Sequence, residues 1–348
     1  MNSLDYVLNN IDSLDRESMD EAKKRLDRLI KPVGSLGKME EICMQLAGIY
    51  RKKELDTSKK AIIAFAGDHG VYEEGVAPDP QSITYLQFPN FTKGLNGVGV
   101  ISKFVGADVI AIDVGINCDH KLDGVIDKKI RKSTSNMAKG PAMSRDEAIK
   151  SIEIGIEAAN ECIDNGYKLI GIGEMGICNT TPSSAIISVI DGCDPAEVTG
   201  MGAGLKKDRI KHKADTIRKA IELNKPNRED AIDILSKVGG FEIGSMAGVI
   251  LACSARNVPV VLDGFISYAA ALLAYTLNPI TREYMIASHT SAEPGTQKAL
   301  DMLNLSTVLN MDMRLGEGSG AALAFNIIEA SNYTYTNMAT FDEIDMGR

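Results

Sequence analysis

The sequence predicts a doubly wound α/β protein: a mostly parallel sheet with helices on both faces, plus a small helical domain formed by the two ends of the chain. Two observations carry this. Short β-branched runs that finish at an acid and a glycine recur at 61–68, 109–115, 168–174 and 258–264, the pattern of buried parallel strands. Helical stretches such as 145–165 and 209–224 lie between them, and strand, helix, strand order favours a sheet covered on both sides.

Taken in order, the first sixty residues are charged and helical, without a clear strand, and the segment from Ser319 onward opens with the small residues Ala321, Ala322 and Ala324. We therefore expect residues 1–60 and 321–348 to pack together as a small helical domain and residues 61–320 to form the large substrate-binding one. In open α/β sheets, ligands sit beyond the carboxyl ends of the strands. Asp68, Asp113, Glu174 and Asp263 would then converge on one acidic rim, although each alone could equally bond loop amides. The apolar stretches 243–255 and 269–277 are too short to span a bilayer and read as buried helices.

Composition narrows the function. The 348 residues hold 38 Lys and Arg against 47 Asp and Glu, a formal charge of -9, the wrong sign for neutralising nucleic acid phosphates. Residues 1–16 are polar and acidic, unlike a secretory signal, so a cytoplasmic location is expected. The six cysteines (Cys43, Cys118, Cys162, Cys178, Cys193, Cys253) are scattered with no C-x-x-C pair, which argues for reduced, mostly buried thiols and against zinc. No metal site and no cofactor are expected.

Three segments carry chemistry. Gly173-Glu174-Met175-Gly176-Ile177-Cys178-Asn179-Thr180-Thr181-Pro182 follows a strand and opens a helix, with Thr181 as N-cap and Pro182 as first helical residue. Its free amides suit a phosphate or carboxylate, and Glu174 beside them suits a sugar hydroxyl or a positive charge. An ordinary strand-to-helix turn would look the same. Thr199-Gly200-Met201-Gly202-Ala203-Gly204 is spaced for close backbone approach to phosphate, and precedes a helix holding Lys206, Lys207, Arg209, Lys211 and Lys213. The basic residues read as a solvated face, with Lys213 the one kept as a ligand.

Leu315-Gly316-Glu317-Gly318-Ser319-Gly320 surrounds one carboxylate with small residues, either to clear room for a ligand or as a plain helix-capping loop. His69 and His289 sit in suggestive loops and are read as hydrogen-bonded structure rather than catalysts. His120 and His212 look exposed. Neither a Rossmann fingerprint after the first strand nor a Walker motif is present, so a dinucleotide-dependent oxidoreductase has no support.

Together, LDRLIKPVGSL at 26–36, AGDHGVYEEGV at 66–76, IDVGI at 112–116, the glycine turn at 173–181, VGGFE at 238–242, LDGFI at 262–266, HTSAE at 289–293 and LGEGSG at 315–320 resemble the nicotinate-nucleotide:dimethylbenzimidazole phosphoribosyltransferase family, in order and over nearly the whole chain. The resemblance implies transfer of 5-phosphoribose from nicotinate mononucleotide to 5,6-dimethylbenzimidazole with inversion at C1′, as a step of cobamide biosynthesis. It makes Glu317 the general base and puts Gln87 in the base-binding position. Substrate would lie above the sheet rim, with Glu174 stabilising the ribosyl cation. Met175 would flank the base, and phosphate would rest on amides around Gly176 and from Gly202 to Gly204 with Lys213 as counter-charge, Asn179 and Thr180 being further substrate-binding residues. Asp263 and Ser291 complete the expected binding set.

Asp79 stands where a serine is more usual, which bears on acceptor choice: purines and phenols are alternatives to dimethylbenzimidazole. Self-association as a homodimer is implied, and a dimer with an unlike subunit is the alternative. A catalytically dead paralogue would be expected to lose Glu317, which is intact.

Overall fold

The computed structural model describes residues 3–344. Its sheet has six strands: β1 (Lys60–Gly67), β2 (Asp108–Gly115), β3 (Ile126–Asp127), β4 (Leu169–Met175), β5 (Val260–Leu262) and β6 (Met285–Ala287). They are ordered β3-β2-β1-β4-β5-β6, and every neighbouring pair is parallel. The chain leaves β1 toward one edge and returns through β4 toward the other. The switch point of this doubly wound sheet thus lies between β1 and β4, where a crevice opens above their carboxyl ends.

Alternation along the strands builds two cores. Ile63 and Phe65 of β1, with Ile170 and Ile172 of β4, face helices Arg145–Asp164, Phe241–Ala255 and Phe265–Leu277. Ile62, Ala64 and Ala66 face the other way, toward Phe88, Phe91, Ala321 and Phe325. Both faces are covered, as expected of a parallel sheet. β3 and β6 are additions to the expected strands; at two and three residues they have no periodicity to read. Only Val260–Leu262 of the expected run at 258–264 pairs, so Asp263 stands just past its strand, as Asp68 does past β1.

The helix Phe241–Ala255 is buried on all sides from Phe241 to Ser254, as an all-round apolar helix must be. It meets helix Arg145–Asp164 at main-chain contact. A Cβ on Gly155 would overlap the Ser245 carbonyl, and one on Gly248 would overlap the Ile152 carbonyl. The Ser245 hydroxyl lies 2.9 Å from the Ser151 carbonyl.

The ends of the chain come together. Helix Arg16–Arg28, helix Lys38–Tyr50 and the far half of helix Ser319–Asn337 share a cluster of Ala22, Leu26, Leu29, Cys43, Ala47 and Tyr335. The Arg25 guanidinium donates to the Tyr335 carbonyl at 2.9 Å, and the Ile30 amide to Ala339 at 3.0 Å. Leu4 and Val7 of the first helix join the main core instead. Residues 1–2 and 345–348 of the expected helical domain lie outside the described residues. All six cysteines are free, five buried and Cys193 half-buried. Among the described residues no helix is long and apolar enough to cross a membrane.

Because backbone atoms stand where a methyl group would go, Gly155→Ala must push the two central helices apart. We expect a loss of about 3 kcal/mol, at the upper end of overpacking costs, read as a lower denaturation midpoint. An unchanged midpoint would show that the helices are not in main-chain contact.

Candidate active site

The β4 strand ends at Glu174-Met175 and turns through Gly176 into helix Thr180–Asp191. The helix starts before the expected Thr181: its N-cap is Asn179, already in helical geometry and without a side-chain cap. The reason lies in Asn179, whose amide donates instead to Glu174 Oε2. Thr181 Oγ1 is left buried without a partner. The turn packs tightly, since a Cβ on Gly176 would overlap the Gly67 carbonyl.

Opposite this turn, three consecutive residues adopt left-handed geometry: Gly316 (φ 80°), Glu317 (φ 65°) and Gly318 (φ 98°). For a glutamate this costs on the order of 1 kcal/mol or more, so the surroundings must hold it. They do so from three sides. Gly173 of β4 has no Cβ, which would overlap the Glu317 carbonyl. The Glu317 amide donates to Glu174 Oε1 at 3.3 Å. Asp263 accepts from Gly318 (3.2 Å), Gly320 (2.6 Å) and Ala321 (3.3 Å), capping helix Ser319–Asn337 from another strand. The Glu317 side chain then reaches helix Gly97–Phe104, where Oε2 accepts from Asn96 Nδ2 at 2.8 Å and the Val98 amide at 2.9 Å.

Between the turn and this loop lies a cavity of about 360 Å³, within the range of small-ligand sites. Glu174, Asp263 and Glu317 line it with Met175, Gly176, Asn179 and Thr180. Asp79, Gln87, Gly202 and Ser291 complete the expected residues found there. Lys213 lies behind them, on a side cavity of about 40 Å³ that shares Asp79, Asn179 and Thr180. It is buried, and its ammonium donates to Thr180 Oγ1 at 2.7 Å and the Gly200 carbonyl at 3.3 Å. Gly204 lines neither cavity and is an exposed turn residue at φ 112°. A cavity of about 390 Å³ between β2 and helix Arg145–Asp164 is floored by Ile110, Ile112 and Ile154; it lacks convergent buried polar groups, so we locate the chemistry in the smaller one.

The expected rim splits. Asp68 is consumed by structure, accepting from the Thr84 hydroxyl at 2.7 Å and the Asn117 amide at 2.8 Å. Asp113 accepts the Gly115 and Ile116 amides and pairs with Lys129 at 3.2 Å. Neither lines the cavity. His69 forms a fully buried pair with Glu242 at 2.9 Å. Burial works to lower the His69 pKa, and the charge and hydrogen bond of Glu242 overcome it, for a net rise. His212, expected exposed, is half-buried and bonds the Glu74 carbonyl at 2.6 Å. Among the described residues no group of three or more His, Cys, Asp or Glu is arranged to hold a metal ion.

Three ionisable lining residues were not singled out as ligands from the sequence: His289, Glu293 and Arg314. Glu293 Oε1 accepts the Gly202 amide at 2.9 Å, while Oε2 is buried without a partner. His289 Nδ1 lies 3.1 Å from Ser288 Oγ, which itself donates to the Asp263 carbonyl at 2.7 Å; the proton therefore belongs on Nδ1 and Nε2 is the acceptor. The only signal for Glu293 was its place in HTSAE, and for Arg314 its place before LGEG.

The acids are poised by burial. Glu174 is pushed up to about 8, by desolvation first and then by the charges of Asp263 and Glu242. Asp263 rises to about 7 through desolvation, against the pull of its three amides. Desolvation also raises Glu317, against the Val98 amide and Asn96. Lys213 is lowered to about 8 by burial, opposed by Glu293.

A family model described as phosphoribosyltransferase matches residues 11–345. A nicotinate-nucleotide–dimethylbenzimidazole phosphoribosyltransferase of Clostridioides difficile (strain 630) is 76% identical over 348 residues, all of both chains. One of Alkaliphilus metalliredigens (strain QYMF) is 51% identical over 99% of each. The crystal structure of CobT from Thermus thermophilus superposes with a TM-score of 0.91 at 34% identity, covering 95% of this chain and 99% of that one.

A carboxyl whose folded pKa is raised binds its proton more tightly folded than unfolded. The stability it contributes is complete below its ordinary 4.5 and is lost as pH climbs through about 8. Glu174→Gln should therefore stabilise the empty protein at pH 8, on the order of 2 kcal/mol, and flatten its loss of stability between pH 5 and 8. Melting curves across that range check this; a variant less stable than the parent at pH 8 would mean that Glu174 is held ionised by its donors.

Proposed function

The chain belongs to the phosphoribosyltransferase family that includes these nicotinate-nucleotide–dimethylbenzimidazole enzymes, and from that premise we propose how its own residues carry the reaction. It transfers 5-phosphoribose from nicotinate mononucleotide to 5,6-dimethylbenzimidazole or a related lower-ligand base, releasing nicotinate and α-ribazole 5′-phosphate for cobalamin assembly. The observation that carries this reading is the Glu317 loop. It presents one carboxylate in strained, tightly held geometry on a cavity lined by two further acids with raised pKa values, and strain and perturbed acids cluster at functional sites.

In the donor, the C1′ substituent is already a cationic pyridinium. The C1′–N bond breaks with its electron pair passing to the ring nitrogen, so departure needs no acid. The acceptor nitrogen attacks C1′ from the opposite face, inverting it, while the proton on its partner nitrogen passes to Glu317. Both side-chain hydrogen bonds of Glu317 fall on Oε2, which leaves Oε1 to take that proton. A pKa raised by burial suits a base working near neutrality.

As the bond stretches, the ribose gains positive charge, and Glu174 and Asp263 are placed to stabilise it in their ionised forms. Phosphate rests at the first turn of helix Thr180–Asp191, near Gly176, Asn179 and Thr180, where helix amides are unpaired. Lys213 supplies counter-charge through Thr180. Gly202 is a weaker candidate for phosphate, because its amide is already given to Glu293. Met175 flanks the base, Ser291 offers a hydroxyl and Gln87 an amide to the substrates.

The enzyme works in the cytoplasm as a homodimer. Leu86, Leu95, Val100, Phe104 and Leu315 are exposed, Leu315 on the cavity itself, and suit a second copy, an unlike subunit being the alternative. The small unit of residues 1–60 and 321–348 remains part of this reading, supported by the cluster around Tyr335. A purine- or phenol-directed acceptor site is the second reading, favoured by Asp79 beside Gln87 on the cavity wall.

Incubation with nicotinate mononucleotide and, separately, dimethylbenzimidazole, adenine and phenol tests the assignment, with nicotinate release and nucleotide product followed by chromatography. Product with dimethylbenzimidazole is expected; product only with another aromatic moves the acceptor to the second reading. Glu317→Gln should keep its melting temperature and lose about 100-fold or more in kcat, the usual contribution of a positioned base. Turnover near the parent value would remove Glu317 from that role.

A further inference from the structure

The charged lining of the cavity is one-sided. Asp79, Glu174, Asp263, Glu293 and Glu317 are acidic, and Arg314 is the one basic residue on the same wall among the described residues. These acids are largely committed: Glu317 to Asn96 and Val98, Glu293 to Gly202, Glu174 to Asn179 and the Glu317 amide, Asp263 to its three amides. Arg314, by contrast, is exposed and makes no side-chain hydrogen bond or ion pair with any described residue. A planar five-donor fork left free among carboxylates has the shape of a receptor for an anion that arrives with the ligand.

The donor proposed above brings two anions. Its phosphate has the helix Thr180–Asp191 turn and Lys213. Its ring carboxylate has no such provision, and five acids on the wall would repel it. The pyridinium charge is welcome in such a cavity, so nicotinamide mononucleotide, which has the pyridinium without the carboxylate, would be the easier guest unless something favours the acid. Arg314 lines the same cavity with its guanidinium uncommitted. The segment before it runs along the loop after β6, with Thr290 donating to Leu309 at 3.2 Å and Ala292 to Met313 at 3.2 Å. Asp79 and Gln87 reach the cavity from the connection between β1 and β2. Inversion requires the incoming base and the departing ring on opposite faces of C1′, and Arg314 enters the cavity from a different part of the chain than Asp79 and Gln87 do.

We propose that Arg314 is a specificity residue that binds the ring carboxylate of the nicotinate group and so selects nicotinate over nicotinamide mononucleotide. This rests on the reading of the cavity given under Proposed function. A bidentate guanidinium–carboxylate contact is a charge-assisted pair of hydrogen bonds, which at a partly exposed site corresponds to about 10- to 100-fold in kcat/KM.

The test compares both mononucleotides as donors for the parent and for Arg314→Gln and Arg314→Lys, with free nicotinate and free nicotinamide as competing inhibitors of the parent. The parent should favour the acid, and nicotinate should inhibit better than nicotinamide. Arg314→Gln should lose about 10- to 100-fold with nicotinate mononucleotide and little with nicotinamide mononucleotide, while Arg314→Lys keeps part of the preference. Equal losses with both donors would assign Arg314 to the phosphate and overturn the proposal, as would a parent that does not distinguish them. A parent that consumes neither donor would instead sink the reading of the reaction, and this inference with it.

Discussion

The site depends on the contact between Gly173 of β4 and the Glu317 carbonyl, where no side chain intervenes. A loop of three left-handed residues can lie on a strand only if the strand offers bare backbone. The Leu169–Met175 strand does so twice, at Gly171 under Phe325 and Ala321 and at Gly173 under Glu317. The small-residue start of helix Ser319–Asn337 follows from the same constraint, because bulk at Ala321 or Ala322 would lift the loop off the sheet. Asp263 then fixes the helix end with three amides. A carboxylate from the end of β5 thus determines where a carboxylate near the end of the chain points.

The acidity of the cavity has a cost and a use. Burial first, and then the charge of Asp263 on Glu174 and of Glu317 on Asp263, raise the proton affinity of these acids, so the empty site retains protons near neutrality. A cationic ligand opposes this by favouring the ionised forms, and the acids become more fully charged when positive charge lies between them. The pyridinium of the donor and the ribosyl cation that follows are such charges. Stability withheld from the empty protein therefore reappears as stabilisation of the reacting centre, the familiar tension between a stable fold and an active site.

Much of this was legible in the sequence where side-chain pattern and backbone need coincide. The buried runs that became β1, β2 and β5 carry β-branched residues on both faces and β4 carries them on one, and the loop around Glu317 sets one carboxylate among small residues, open to a ligand or to helix capping. β3 and β6 were not legible, since a strand of two or three residues exists only by virtue of its neighbour. The helix start at 180 was misread because Thr-Pro has the local form of a cap, whereas Asn179 was drawn to Glu174 across the turn. Asp68 and Asp113 looked like Glu174 and Asp263 along the chain; what separates them is which loop amides and hydroxyls reach them, and that is decided by tertiary packing. Arg314, Glu293 and Asn96 are single polar residues in loops, and nothing periodic marks them.

The glycines show most clearly what a sequence can and cannot say. Gly200-x-Gly202-x-Gly204 reads as a run of amides open to a phosphate. In the structure Gly200 is small because Glu293 and Pro294 press against it, Gly202 gives its amide to that same glutamate, and Gly204 only turns the chain toward helix Lys207–Asn224. Gly176 likewise makes room for the Gly67 carbonyl. A glycine announces that something approaches closely, and the spacing of several says how often. Whether the visitor is a ligand or another part of the chain is a property of the fold, so glycine motifs predict crowding more securely than they predict binding. The loop around Glu317 satisfies both meanings at once: its glycines let it lie against β4, and that contact turns its one carboxylate toward the cavity.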